Sequence, residues 1–335
     1  MASPTDRAAR TQRRLPGARP SGRGTARIAV DLLGGDDAPA VVVDGALRAC
    51  GADPDLRLLL VGPEKVADEI LGALPADDRH RVGVRPANRP VGMSDAPARA
   101  SRPDTSVRSA VAAVALGEAD ALVSAGASGA IVTAAVLGLG RHPGVQRPAL
   151  AASMPAVTGP VVLLDVGASL GANPAILARH ACLGAAYARA VHGLDQPRVG
   201  LLSVGAEPGK GDRARRAAEP VLAATALPAD GRFVGLVEGQ EACLGGHADV
   251  VVTDGFTGNV LLKGIEGAYA MAGGTSRAPR AAALLGVRGI TVVCHGAATG
   301  SDVASGIDLA AALHRAGAGP ALSSLLSPLA EASYE

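Results

Sequence analysis

Aromatic residues are almost missing. Among 335 residues there are five, Tyr187, Phe233, Phe256, Tyr269 and Tyr334, and no tryptophan. Basic and aromatic side chains do not interleave, which argues against a stacking surface for single-stranded nucleic acid. Lysine is scarce as well, with Lys65, Lys210 and Lys263 set against 29 arginines. Cys50, Cys182, Cys243 and Cys294 lie far apart with no CxxC pair, a pattern of reduced thiols rather than of a disulfide framework. The seven histidines show no HExxH or other ligand spacing, so no metal is expected. No GxxxxGK[ST] loop occurs, and no GxGxxG is followed by a ribose-binding acid, so no nucleotide cofactor is expected either. A GxSxG nucleophile elbow is missing, and Cys294 and His295 are neighbours on one run, where side chains point to opposite faces.

What remains is an apolar, glycine-rich chain, 48% hydrophobic with 44 glycines. Val, Leu, Ile and Ala must build its core, and the length suits one large or two ordinary domains. The net charge of +1 hides an asymmetry. Residues 1–27 carry seven arginines and one aspartate, and the remainder is mildly acidic. Binding of nucleic acid by bulk electrostatics is therefore not expected. Residues 1–25, rich in Arg, Pro, Gly and Ser, read as a disordered basic extension ahead of a folded domain over 26–335. No apolar segment follows the basic stretch as in a signal peptide, and a cytoplasmic location is expected. Residues 121–140 are uncharged and long enough to cross a bilayer, but the SAGASG cluster interrupts them and favours strand, loop and helix.

From Arg27 onward a unit recurs: a short apolar run, a glycine-rich turn and a helix-compatible segment. The runs are Arg27–Val30, Leu56–Val61, Ala121–Val123, Val161–Leu164, Val199–Val204, Asp249–Val252 and Ile290–Cys294. Continuous apolar runs suit strands buried on both faces. Ser106–Gly117, Pro174–Val191 and Arg213–Ala226 are long enough for helices. The fold class that follows is α/β, a doubly wound, mostly parallel sheet with two lobes around a cleft.

The runs end in glycine loops at Asp31–Asp36, Ser124–Gly129, Asp165–Ser169, Ser203–Gly211, Thr253–Asn259 and His295–Ser301. In a parallel sheet these loops share the edge at the carboxyl ends of the strands, where ligands bind. Glycines admit close backbone approach, and the helices that follow offer unpaired amides to an anion. A site for phosphate or another small anion is expected there. Lys210 and Lys263 fall in or just after these loops and would offset its charge.

The ordered loops resemble the bacterial phosphate acyltransferases of phospholipid synthesis. The matching stretches are RIAVDLLGGDDAP (Arg27–Pro39), SDAPARA (Ser94–Ala100), SAGASGA (Ser124–Ala130), RPALA (Arg147–Ala151), LLDVGA (Leu163–Ala168), PRVGLLSVGAEPGKG (Pro197–Gly211), FVGLVEG (Phe233–Gly239) and ADVVVTDGFTGNVLLKGIEG (Ala248–Gly267). The last is the most specific. The resemblance implies an α/β/α fold similar to the isocitrate and isopropylmalate dehydrogenases, a homodimer, and no metal. It implies transfer of a fatty acyl group from acyl-carrier protein to inorganic phosphate. The acyl-phosphate would feed a membrane glycerol-3-phosphate acyltransferase. Phosphate is then its own nucleophile, and the protein must hold it against the thioester carbonyl and stabilise the oxyanion. The catalytic set under this reading is Lys210, Lys263, Asp254, Asn259 and His295, with His295 protonating the leaving thiolate. The binding set is Asp31, Gly34, Gly35, Asp36, Ser124, Gly126, Ser128, Gly129, Asp165, Gly167, Gly255 and Gly258, with the acids orienting donors or capping neighbouring turns and helices.

Three departures stand out. Ala127 and Ser169 replace asparagines of the family pattern. The basic run before the family's Ser-Ser pair is reduced to Arg102-Pro-Asp-Thr105-Ser106. The family's long helical excursion is shortened at 268–283, so membrane contact through that element is not expected and the dimer would be altered. The alternatives are a transferase for shorter acyl groups, and a weakly catalytic paralogue that binds acyl-carrier protein or acyl-phosphate.

Overall fold

The computed structural model describes residues 24–273 and 279–328. The expected basic extension lies outside the described residues except for its last two positions, and so do residues 274–278 of the shortened segment. Eleven strands form one sheet: β1 (Ala26–Asp31), β2 (Leu56–Gly62), β3 (Val82–Pro86), β4 (Ala121–Ser124), β5 (Ala149–Ala156), β6 (Gly159–Leu164), β7 (Arg198–Leu202), β8 (Arg232–Val237), β9 (Val250–Val252), β10 (Ala281–Leu285) and β11 (Ile290–Cys294). The helices are α1 (Ala40–Ala52), α2 (Glu64–Ala73), α3 (Ser106–Ala115), α4 (Ser128–Leu139), α5 (Pro174–His192), α6 (Arg213–Ala224), α7 (Glu241–Leu244), α8 (Gly255–Met271), α9 (Gly300–Arg315) and α10 (Ala318–Leu326). The uncharged stretch 121–140 is strand, loop and helix, β4 and α4. No helix among the described residues is long and apolar enough to cross a membrane.

The strand order is β3-β2-β1-β4-β11-β10-β5-β6-β9-β7-β8. The first five strands are mutually parallel, and so are the last four. Between them, β11–β10, β10–β5 and β5–β6 are all antiparallel. Three reversals turn the second block against the first. The two expected lobes are these two blocks of one continuous sheet.

Both faces are buried, which is why the strands read as unbroken apolar runs. In β6, Val162 and Leu164 face one core while Val161 and Leu163 face the other. Helices α1, α2, α5, α6, α9 and α10 cover the first face; α3, α4, α7 and α8 cover the second. With so few aromatics, aliphatic side chains fill these layers, and Tyr187 of α5 is the one aromatic among the largest fully buried side chains. The helix ends follow local chemistry. Asn173 caps α5 by accepting the Ile176 amide at 2.9 Å, with Pro174 at the first helical position. Gly193 ends α5 in the left-handed conformation.

Candidate active site

The opposed blocks overturn one expectation. The glycine loops do not share one sheet edge. Those after β1, β4 and β11 lie at one edge, and those after β6, β7 and β9 lie at the other. Each edge has a crevice where neighbouring strands send their helices to opposite faces, the usual place for a ligand in such sheets. At the first edge β1 leads to α1 on one face and its neighbour β4 leads to α4 on the other. At the second edge β6 leads to α5 and its neighbour β9 leads to α8. The expected residues divide accordingly. Asp31, Gly34, Gly35, Asp36, Ser124, Gly126, Ser128, Gly129 and His295 fall at the first edge. Asp165, Gly167, Lys210, Asp254, Gly255, Gly258 and Asn259 fall at the second, with Lys263 further along α8.

The first crevice is three loops locked together. The buried Asp31 carboxyl accepts Ser124 Oγ at 2.8 Å and the Leu33 amide at 3.2 Å. Ser124 Oγ in turn accepts the Gly126 amide at 3.1 Å. Burial pushes the Asp31 carboxyl up, while hydrogen bonds from Ser106, Ser124 and Leu33 pull it back in part. A Cβ on Gly34 would sit 2.6 Å from Ser124 Oγ and 2.8 Å from the Gly126 nitrogen. Glycine at 34 therefore lets two loops close on each other rather than admitting a ligand. The Asp36 amide donates to the Gly296 carbonyl at 2.9 Å, which joins the loop after β11. At the base of this unit α4 begins without a side-chain cap, because Ala127 holds the capping position. The amides of Ser128 and Gly129 have no intrahelical partner, and both residues are partly exposed.

The second cluster is built by its acids. The fully buried Asp165 accepts five hydrogen bonds. Oδ1 takes the amides of Leu150 (3.0 Å), Gly167 (3.0 Å) and Ala168 (2.8 Å). Oδ2 takes the Ser169 amide (2.9 Å) and hydroxyl (2.8 Å). This carboxylate shapes a turn and has no acceptor capacity left for orienting a ligand. The Gly255–Asn259 stretch, expected as a loop, is the first turn of α8. Asp254 caps it, with Oδ1 accepting the Thr257 amide at 2.9 Å and Oδ2 the Thr257 hydroxyl at 2.8 Å. A Cβ on Gly258 would run into the Asp165 carbonyl oxygen, and one on Gly255 into that of Ser169. Asn259 Nδ2 donates to the Val166 carbonyl at 3.0 Å. Gly255, Gly258 and Asn259 thus dock α8 onto the Asp165 turn.

Two residues escaped the sequence reading. Arg215 of α6, 12% exposed, pairs with Asp254 and Asp212 and reaches Thr253 Oγ1 at 3.0 Å. Burial works to raise the Asp254 carboxyl, but the Thr257 amide and hydroxyl and the Arg215 guanidinium outweigh it and hold it below the ordinary range. Glu266, three turns along α8, places Oε1 2.7 Å from His295 Nε2 and so reaches the first crevice. Lys263 lies one turn before Glu266, exposed, where i and i+3 side chains are neighbours. Lys210 lies on the exposed loop after β7 at the other edge. Neither lysine forms an ion pair among the described residues. Cys294 points to the opposite face from His295, against α9, and burial pushes its thiol up to about 12. No thiol–imidazole pair forms.

The family described as "Fatty acid synthesis protein" matches residues 26–279. Among similar proteins is a phosphate acyltransferase from Thermobifida fusca (strain YX), 39% identical over 308 residues, which cover 83% of this chain and 84% of that one. Another, from Anaeromyxobacter sp. (strain K), is 43% identical over 250 residues, 74% of this chain and 67% of its own length. The chain belongs to the phosphate acyltransferase family. Its fold is shared with solved phosphotransacetylases. The one from Streptococcus pyogenes aligns at a TM-score of 0.63 and 18% identity, covering 87% of this chain and 94% of that one. A 4-hydroxythreonine-4-phosphate dehydrogenase from Klebsiella pneumoniae aligns at 0.52 and 16% identity, covering 88% and 99%. Ala127 sits at the bare cap of α4, and Ser169 lies inside the Asp165 turn.

Proposed function

We propose that this family member makes acyl-phosphate from a fatty acyl thioester of acyl-carrier protein and inorganic phosphate, with phosphate bound in the first crevice. The observation that carries the placement is the uncapped start of α4 at the β1/β4 junction. Its free amides and positive dipole end suit a phosphate dianion. The α8 start is less suited, because the Asp254 carboxylate already occupies it. The Ser128 hydroxyl adds a donor at the same point, and Lys263, one turn from Glu266, supplies mobile positive charge beside it. An oxygen of hydrogen phosphate attacks the thioester carbonyl, the C–S bond breaks, and the phosphate proton ends on the departing sulfur. The same amide array opposes charge on the tetrahedral oxyanion. In this reading the protein acts in the cytoplasm as a homodimer, and its product passes to a membrane glycerol-3-phosphate acyltransferase in phospholipid synthesis.

The test is incubation of purified protein with long-chain acyl-carrier protein and phosphate. Acyl-phosphate, trapped as hydroxamate, should appear together with an equal amount of free carrier thiol. Ala127 and Ser169 favour one second reading, a protein that binds these ligands without turnover. Ser169 spends its hydroxyl on Asp165, and Ala127 has no polar group to offer. Saturable binding of acyl-carrier protein without thiol release would select that reading.

A further inference from the structure

We propose that Glu266 is a positioning residue for His295 in acyl transfer, a role that rests on the reaction proposed above. The two residues are far apart in sequence and come from different elements. Helix α8 starts at the second edge, and Glu266 lies eleven residues beyond Gly255, about 16 Å along the axis. There Oε1 meets His295 Nε2 at 2.7 Å, with the side chains 23% and 32% exposed. An ionised carboxylate only accepts, so Nε2 carries a proton, and in the neutral ring the lone pair is then on Nδ1. The next residue is held too, because the Gly296 carbonyl accepts the Asp36 amide. Ring orientation and tautomer are therefore both set. Nδ1 takes the proton of hydrogen phosphate as the C–O bond forms and passes it to sulfur as the C–S bond breaks. Glu266 exchanges no proton.

The test is a double-mutant cycle on kcat with long-chain acyl-carrier protein and phosphate, joined to nitrogen-15 histidine NMR of the full chain. H295A should lower kcat about a hundredfold or more, the usual scale for a positioned proton-transfer group. E266A should lose most of that factor at an unchanged KM for phosphate. E266Q, which keeps an acceptor oxygen, should recover most of it. The double variant should be no slower than H295A alone. The His295 ring should be protonated at Nε2 in the wild type and mixed in E266A. Additive losses, or a loss confined to KM, overturn the role. A tautomer indifferent to E266A overturns the pairing whatever the activity. A wild type without turnover overturns the reaction and this role with it.

Discussion

Replacing Asp165 by asparagine should be among the most damaging single changes in the molecule, although it alters one atom. Five donors converge on the two carboxylate oxygens: the amides of Leu150, Gly167, Ala168 and Ser169 and the Ser169 hydroxyl. Asparagine keeps one acceptor oxygen. If that oxygen stays toward Leu150, Gly167 and Ala168, its NH2 faces the Ser169 amide, donor against donor. The Ser169 hydroxyl can rotate and accept, but the amide cannot. The flipped rotamer strands three amides instead. A buried donor left without a partner costs about 1–3 kcal/mol, and the donor clash adds to it. A total of roughly 2–5 kcal/mol follows, a large share of the ~5–15 kcal/mol by which domains are stable. Urea unfolding followed by far-UV circular dichroism measures it, provided the slope m is unchanged. Ser169→Ala, which removes one hydroxyl, should cost only about 1 kcal/mol. If D165N loses less than about 1 kcal/mol, or S169A loses more than D165N, Asp165 does not organise this turn.

Gly258→Ala places a methyl group against the Asp165 carbonyl oxygen, and thermal unfolding should show a loss of about 1–3 kcal/mol or more; an unchanged Tm would mean that α8 does not dock as described. The Asp254 carboxyl is held below its unfolded value of about 3.9, so its contribution to stability is present above that pH and is lost as pH falls through the folded value. Arg215→Ala removes part of the cause, so the acid-unfolding midpoint should move to higher pH, and an identical midpoint would remove Arg215 from the explanation. Lys263→Ala should raise the KM for phosphate several-fold while Lys210→Ala leaves it within about twofold, as expected of one charge near the anion and one at the far edge. Equal effects would contradict the placement of phosphate in the first crevice.

Much of the sheet was legible because two-sided burial writes itself as continuous apolar runs. All seven expected runs are strands, with ends within two residues of those expected; Val199–Val204 stops at Leu202, where the Ser203–Gly211 loop begins. Four strands escaped, β3, β5, β8 and β10, and two of them show why. β10 is Ala281–Leu285, whose alanines suit a helix equally well, and β5 carries Pro155. These are also the strands that reverse the sheet, so the division of the site between two edges was hidden with them. Capping by Asp254 follows from the spacing Asp254 to Thr257 and was one of two open readings. Arg215 and Glu266 could not be found that way. Their partners lie 39 and 29 residues away, and only the crossing of α6 and α8 over the sheet brings them together.

In the proposed reaction inorganic phosphate is the acyl acceptor. Labelled phosphate incubated with the wild-type chain and long-chain acyl-carrier protein tests it most directly. Label should appear in an acyl-phosphate product, one equivalent for each carrier thiol released, with no thiol release when phosphate is left out. Thiol release that proceeds at the same rate without phosphate, or with no label in the product, would contradict it.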